Sequence, residues 1–185
     1  TQTPSLDYHQ AKQQLQEHLE KSVARRMIAD VPLGCFRSGG IDSSVITSIA
    51  SAQTASLKTF SIGFEGNQFF DETHYAELVA NKFKTDHTTF KLTNEEISSH
   101  LTNIIDHIDE PFADSSAIPV YLLSKKTREH VTVALSGDGA DEIFGGYQDY
   151  KLFLFKKFKN FLSSSSNLFF SYQTLDKLKF LPKKL

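Results

Sequence analysis

"CFRSGGIDSSVI", residues 35–46, places two glycines, three serines and one aspartate between two apolar runs. Gly39 and Gly40 permit a tight turn and, because they have no Cβ, let an anion approach the backbone N–H groups. The residues that follow predict a helix, whose N-terminus favours phosphate. Hydroxyl donors for the same anion come from three side chains, those of Ser38, Ser43 and Ser44. The stretch therefore predicts a strand, a phosphate-binding loop and a helix.

Asp42 is the one carboxylate in this stretch, and a carboxylate that faces a phosphate repels it unless a cation lies between them. Mg²⁺ binds through one or two carboxylates together with phosphate oxygens, which gives Asp42 a role. The stretch has no GK[ST] sequence, so it lacks the lysine that reaches a γ-phosphate in a Walker loop. The absence of that lysine favours a loop that holds pyrophosphate as the leaving group of a reaction. The structural alternative is that Asp42 caps the helix and the glycines only turn the chain.

The overall composition argues against several classes of protein. The 185 residues include 20 Lys plus Arg and 22 Asp plus Glu, a formal net charge of −2, so no basic excess indicates a nucleic-acid or membrane partner. No apolar run approaches the ~20 residues of a membrane span. Cys35 is the single cysteine, is expected to be a small buried side chain, and fits a reducing compartment. We therefore expect a cytoplasmic protein, and the first residue, Thr1, suggests a fragment or a processed chain.

Helical and strand patterns alternate along the chain. Leu15, Leu19, Val23 and Met27 recur at i+4 spacing, which predicts an amphipathic helix that Pro32 ends. Strands are predicted over residues 33–36, 57–64, 86–92 and 131–136. Helices are predicted over residues 43–53, 71–83, 93–105, 116–130 and 150–162.

Two local details sharpen this assignment. The helix over residues 43–53 is expected to turn Val45, Ile46 and Ile49 inward, and Thr93, three residues before Glu96, is expected to cap a helix. Strands that alternate with helices of this length indicate βαβ units and a mostly parallel sheet. The predicted fold class is α/β, with an open, doubly wound parallel sheet.

A second loop, residues 136–142 (SGDGADE), repeats the pattern of the first at the end of another predicted strand. Acidic residues in a first helical turn are stabilised by the helix dipole, so Asp141 and Glu142 have a structural explanation beside a functional one. Asp138 lies between two glycines, where no packing requires a carboxylate. Because ligands of doubly wound sheets bind beyond the carboxyl ends of the strands, both loops are candidates for one site.

These stretches resemble those of a known family. SGGIDSS resembles the SGGxDSS pyrophosphate loop of the N-type ATP pyrophosphatases, and its surroundings resemble the synthetase domain of glutamine-dependent asparagine synthetases, from about Val23 to Tyr147. The matching blocks are DVPLGCFRSGGIDSSVI, TFSIGFE, FDETHYAELVA, TDHTTF, EPFADSSAIPVYLLSK and VALSGDGADEIFGGY. Several amide- and thio-forming enzymes share the first loop, whereas the last two blocks narrow the match to asparagine-synthetase-like proteins. The resemblance implies a sheet of the adenine nucleotide alpha hydrolase-like kind.

The resemblance also implies a site for ATP, Mg²⁺ and aspartate. Asp42 and Asp141 would share the Mg²⁺, Asp138 would face the substrate, and these three carboxylates would be the catalytic residues. Asp114 and Ser115 would border the amino acid, although Asp114 could equally cap a helix. ATP and pyrophosphate would contact Phe36, Ser38, Gly39, Gly40, Asp42, Ser43, Ser44, Ile62, Ser136 and Gly137.

The implied reaction activates aspartate as β-aspartyl-AMP with release of pyrophosphate, after which ammonia from glutamine gives asparagine. A glutaminase domain, in the same chain or a partner chain, would supply the ammonia. A homodimer is an open alternative for the oligomeric state. Two alternatives remain. One is another asparagine-synthetase-like amide synthetase that acts on a different carboxylate, and the other is an inactive nucleotide-binding module or fragment.

Arg37 departs from the resemblance, because the family usually has an aliphatic residue at its position. A charge inside a central parallel strand is costly unless it is paired or solvated. Arg37 is therefore expected at the end of the strand, where it would reach phosphate or pair with Asp138 or Asp141.

Three segments are expected along the chain. Residues 1–30 would form an N-terminal helix that packs on the domain, and residues 31–150 the ATP pyrophosphatase core. Residues 151–185 would form a truncated helical extension that is basic and rich in phenylalanine, with a loop at residues 163–166.

Overall fold

The computed structural model describes residues 6–66, 72–110, 113–150, 152–153 and 155–156. The chain divides into two compact units, Thr1–Asp138 and Gly139–Leu185. The elements, in chain order, are α1 (Tyr8–Arg26), β1 (Leu33–Phe36), α2 (Ile41–Ser51), β2 (Lys58–Phe64), α3 (Thr73–Phe83), β3 (Asp86–Leu92), α4 (Asn94–Asp106), α5 (Ala117–Thr127), β4 (Val133–Leu135) and α6 (Ala140–Phe144).

The first unit contains a four-stranded sheet in the order β3-β2-β1-β4, with all neighbours parallel. Cys35 in β1 aligns with Thr59 of β2 on one side and with Leu135 of β4 on the other. The chain steps outward from β1 to β3 and then returns to the far side of β1. This reversal confirms the predicted α/β class and the doubly wound parallel sheet.

Helices pack on both faces of the sheet. Successive side chains of a strand point to opposite faces, and Cys35 of β1 points to the face where it packs with Val23 of α1 and with residues of α2. On β2 and β3, Phe60 and Phe90 point to the other face, and their rings stack with centroids 6.1 Å apart. Lys126 of α5 lies over the Phe90 ring, which places α5 on that face.

The inward face of α2 differs in part from the prediction. Ile46 and Ile49 pack against the core as expected, but Val45 is exposed. The buried side chains of α2 include the hydroxyl residues Ser43 and Thr47. The prediction for Val45 was wrong because the rotation of α2 about its axis brings Ser43 under the preceding loop, and this turns Val45 toward solvent.

The helix α1 is shorter and less buried than its pattern predicts. Asp7 caps its N-terminus, and the helix ends at Arg26, well before Pro32. The N–H of Met27 bonds to carbonyl groups of the last turn, and the chain then extends toward β1. Leu15, predicted to face the core, is 41% exposed, and Val23 is the buried residue of this helix. Among the described residues, the C-terminal turns of α1 are the ones that pack on the core, through Val23 and Met27, and this leaves the amino-terminal half more exposed.

Other boundaries agree closely with the sequence patterns. The strands predicted over residues 33–36 and 86–92 have those bounds in the structure. Thr93 caps α4 as predicted, and its side chain accepts a hydrogen bond from the N–H of Glu96 at 3.1 Å. The loop predicted at residues 163–166 and most of the helix predicted over residues 150–162 lie outside the described residues. No described helix has the length and apolar character that crossing a membrane requires.

Replacing Leu122 by alanine tests the packing of α5 on the sheet. The Leu122 side chain is 1% exposed, and its loss should lower the free energy of unfolding by about 2–5 kcal/mol because burial is lost and a cavity forms. Leu78→Ala on α3, where the side chain is 52% exposed, is the matched control and should cost less than about 1 kcal/mol. Urea denaturation measures both values, and equal losses would contradict the structure.

Cys35 offers a second test of the core. Burial raises the pKa of its thiol to about 12, whereas an exposed thiol has a pKa of about 8.5. A disulfide reagent at pH 8 should therefore label the folded protein slowly and label it rapidly once urea unfolds it, because the thiolate is the reactive form. Fast labelling under native conditions would mean that β1 is not the buried central strand.

Candidate functional site

The two glycine-containing loops meet at the carboxyl edge of the sheet. β1 and β4 are parallel neighbours, so the loop after Phe36 and the loop after Leu135 leave from the same edge. A Cβ on Gly137 would lie 2.8 Å from the amide nitrogen of Ser43 and 2.9 Å from the carbonyl carbon of Asp42. Gly137 therefore packs directly on the first turn of α2, and only glycine fits at this position.

The first loop is held in shape by its own polar groups. The hydroxyl oxygens of Ser38 and Ser43 lie 2.9 Å apart within hydrogen-bond distance, and the N–H of Gly40 donates to the Ser38 hydroxyl at 3.2 Å. The Ser44 hydroxyl donates to the carbonyl of Gly40 at 2.6 Å. The three predicted serine ligands are thus gathered around one turn, which their own hydrogen bonds hold in shape.

The amino end of α2 faces this turn. Gly40 occupies the N-cap position and no side chain caps the helix, while Asp42 lies in the first helical turn. Asp42 is therefore not the cap that the structural alternative required. N–H groups of a first turn have no partner within their own helix, so an oxygen-rich anion suits them.

Arg37 lies beneath the loop rather than in the sheet. It follows the last residue of β1, and its side chain is 2% exposed. The guanidinium donates hydrogen bonds to four protein oxygens, namely the carbonyls of Ser38, Gly40 (3.3 Å) and Tyr75 (3.5 Å) and the hydroxyl of Ser43 (2.7 Å). Its Nε finds no acceptor in the described part of the chain. Burial lowers the pKa of Arg37, and the charge of Glu72 opposes this shift.

The predicted pairing of Arg37 with Asp138 does not form. The carboxylate of Asp138 instead accepts a hydrogen bond from the Ser136 hydroxyl at 2.9 Å, and both residues are exposed. Arg37 bonds instead to uncharged oxygens. Most of them belong to the first loop, which directly follows the strand that carries Arg37. Asp138 remains open to solvent at the carboxyl edge, where a substrate can reach it.

Glu72 also contacts the loop, and no sequence pattern marked it. Its Oε2 accepts a hydrogen bond from the N–H of Gly39 at 3.1 Å. The two residues are separated by 33 positions in the chain, so local spacing could not have revealed this contact. A carboxylate thus sits at one of the N–H groups that the sequence assigns to phosphate.

Phe36 and Ile62, which the resemblance implies would contact ATP, lie on the same face of neighbouring strands, because Phe36 aligns with Phe60 and Ile62 follows two residues later. Both are partly buried near the carboxyl ends of their strands. Ser136 and Gly137 follow the adjacent β4. This arrangement is compatible with a base that contacts both strands, although core packing accounts for the same burial.

The residues of the second unit form a local cluster of their own. Asp141 and Glu142 lie in the first turn of α6, and a Cβ on Gly146 would collide with the Asp141 carboxylate. The Tyr147 hydroxyl donates to Glu142 at 2.6 Å, which lowers the pKa of Glu142 and raises the pKa of Tyr147 to about 12. Glu142 therefore has a structural role, whereas Gly146 leaves room for the Asp141 carboxylate.

Asp114 and Ser115 precede α5 and are exposed. The Asp114 carboxylate accepts a hydrogen bond from the N–H of Ser116 at 2.8 Å, and this lowers the pKa of Asp114. The contact is a local turn at the start of the helix. It supplies the structural explanation that the sequence left open for Asp114.

The acidic residues near the first loop bear on whether Mg²⁺ fits there. No group of three or more His, Cys, Asp or Glu side chains within the described ranges is arranged to hold a metal ion. Mg²⁺ keeps several waters and is usually held by one or two carboxylates plus substrate phosphates. Asp42 lies at the amino end of α2 beside the first loop and could be one of those one or two carboxylates.

The fold and site define a class, that of α/β proteins with a glycine- and serine-rich turn beyond the carboxyl edge of a doubly wound parallel sheet. The family model described as asparagine synthase matches residues 14–183. The chain therefore belongs to the asparagine synthase family.

Curated relatives agree with this assignment. The chain is 46% identical over 138 residues to asparagine synthetase [glutamine-hydrolyzing] 1 of Bacillus subtilis, an overlap of 75% of this chain and 22% of that protein. It is 41% identical over 150 residues to a putative asparagine synthetase of Methanocaldococcus jannaschii, covering 78% of this chain and 29% of that protein. The chain thus spans less than a third of the length of these relatives.

Solved structures are more distantly similar. An NH3-dependent NAD synthetase from Campylobacter jejuni aligns with a TM-score of 0.46 and 14% identity, over 73% of this chain and 60% of that one. An NMN synthetase from Francisella tularensis aligns with a TM-score of 0.47 and 20% identity, over 73% and 56% of the respective chains.

Gly137→Ala tests the contact between the two loops. The new Cβ would press on the backbone of Asp42 and Ser43, which cannot rotate away, so the free energy of unfolding should fall by about 1–3 kcal/mol. Ser136→Ala, in the same loop but exposed, is the control and should change stability by less than about 0.5 kcal/mol. Urea denaturation provides the comparison, and an unchanged Gly137→Ala variant would show that the loops do not touch.

Proposed function

We propose that this chain is the ATP-activating part of an asparagine synthetase. The enzyme uses ATP to activate the side-chain carboxylate of aspartate, releases pyrophosphate, and then forms asparagine with ammonia. Membership of the asparagine synthase family and the hydrogen-bonded serine turn at the start of α2 support this proposal. The shape of that turn is the single observation that carries it, because hydroxyl groups gathered at the amino end of a helix suit a phosphate leaving group.

The phosphates of ATP bind at the first loop. Ser38, Ser43 and Ser44 donate hydroxyl hydrogen bonds to the β- and γ-phosphates, and Gly39 and Gly40 allow the oxygens to approach the backbone. Adenine lies against Phe36 and Ile62, with Ser136 and Gly137 completing its pocket. The positive end of α2 favours the charge that develops on pyrophosphate as it leaves.

Carboxylates complete the site. Asp42 and Asp141 would hold Mg²⁺, which would supply positive charge to offset the charge of the phosphates. Asp138, exposed after β4, faces the amino acid, and Asp114 with Ser115 borders it. The half-buried Asp42 and the room that Gly146 leaves beside Asp141 support these assignments.

The chemistry occurs in two steps. An oxygen of the aspartate side chain attacks the α-phosphorus, the bond between the α-phosphorus and the bridging oxygen breaks, and pyrophosphate leaves with the electron pair. Ammonia then attacks the acyl carbon of β-aspartyl-AMP and loses a proton, and AMP departs. The protein contributes orientation of the two substrates and stabilisation of the leaving charge. A glutaminase domain supplies the ammonia, and the enzyme works in the cytoplasm.

The proposal predicts aspartate-dependent release of pyrophosphate by the intact protein supplied with MgATP and ammonia. Asp42→Asn should lower that rate by about 10²-fold or more, because the carboxylate that neutralises phosphate through Mg²⁺ is lost. Asp30→Asn is the matched control, since Asp30 is exposed before β1, at the opposite edge of the sheet. Coupled-enzyme detection of pyrophosphate measures the rates.

The outcomes separate the candidate functions. Release that requires aspartate and is lost only in Asp42→Asn supports the asparagine synthetase. Release that requires another carboxylate assigns the chain to a different adenylating amide synthetase of the same family. Tight ATP binding without release under any of these conditions would leave a nucleotide-binding module and contradict the proposal.

A further inference from the structure

Glu72 lies directly against the first loop, at Gly39. Its Oε2 lies 3.1 Å from the backbone nitrogen of Gly39 and accepts the hydrogen bond of that N–H group. A Cβ on Gly39 would lie 2.8 Å from the Glu72 Cβ and 2.9 Å from its Oε2, so the side chain packs on the bare face of the glycine. While this contact exists, the N–H of Gly39 cannot bond to a ligand.

Helix capping does not explain this contact. Glu72 is the N-cap residue of α3, yet its side chain makes no capping hydrogen bond to that helix. The carboxylate points instead to a loop that follows a different strand. Glu72 is exposed, so its side chain can rotate into solvent without disturbing a packed core.

The charge of Arg37 gives the contact an electrostatic reason. The guanidinium is buried beneath the loop, its hydrogen bonds go to uncharged oxygens, and its Nε has no acceptor among the described residues. Glu72 is the acidic residue whose charge acts on Arg37. A buried cation favours an anion nearby, and in the free loop Glu72 supplies that anion.

We propose that Glu72 is a resident anion of the phosphate loop, which pyrophosphate or the phosphates of ATP must displace in order to bind. The inference rests on the proposed function, because it takes the loop to be the phosphate site. Glu72 thereby weakens the binding of pyrophosphate and speeds its release as a product. Its carboxylate acts in two ways, since it occupies the N–H of Gly39 and repels the incoming phosphate.

The test measures the dissociation constant of inorganic pyrophosphate with Mg²⁺ for the intact protein by isothermal titration calorimetry. Glu72→Gln removes the charge but keeps an oxygen that accepts the Gly39 hydrogen bond, so binding should tighten by about fivefold, the effect of one exposed charge. Glu72→Ala removes both the charge and the acceptor, and binding should tighten further. Glu77→Gln removes one charge from the exposed side of the same helix and is the matched control, with binding expected to stay near that of the wild type.

The order of affinities decides the inference. Binding that tightens from wild type to Glu72→Gln to Glu72→Ala, with unchanged melting temperatures and an unaffected Glu77→Gln, supports a displaced resident anion. Equal or weaker binding in both Glu72 variants overturns it and assigns Glu72 a structural role. In that case aspartate-dependent pyrophosphate release can still uphold the proposed function. Absence of pyrophosphate binding in every variant and in the wild type overturns both.

Discussion

The parallel pairing of β1 with β2 on one side and β4 on the other is the constraint on which the rest of the structure depends. Parallel strands end at the same edge of a sheet, so the loops that follow β1 and β4 must meet there. Gly137 then packs on the first turn of α2, where a side chain would collide with the backbone. The turn after β1 and the start of the loop after β4 therefore become neighbours through strand order.

The burial of Arg37 is the second physical feature that shapes the loop. A guanidinium beneath a turn of carbonyl and hydroxyl oxygens holds that turn from below, while the N–H groups of α2 face outward. The helix accommodates this arrangement by burying Ser43 and Thr47 and exposing Val45. Part of the apolar stabilisation of α2 is given up so that its amino end can face the turn.

Much of the fold could be predicted because the deciding signals are local. The strand over residues 86–92 and the cap at Thr93 depend on neighbours in sequence, and both match the structure. The predictions that failed concern which side of a helix is buried and where a helix ends, as at Leu15 and Pro32. Both outcomes depend on whether another layer of the protein packs against the residue. The hydrophobic periodicity of a sequence carries no information about that. The contact of Glu72 with Gly39 joins distant segments and could not be predicted for the same reason.

By itself the sequence determined the alternation of strands and helices, the loop chemistry of SGGIDSS and SGDGADE, and the family they resemble. Those features follow from residue types at short spacing, where backbone conformation and hydrogen-bonding capacity are set locally. Only the tertiary structure decided that β1 lies between β2 and β4, that Arg37 is buried under the loop, and that Glu72 occupies the N–H of Gly39. Burial and long-range contacts depend on which segments pack together, and that is a property of the whole chain rather than of any one stretch.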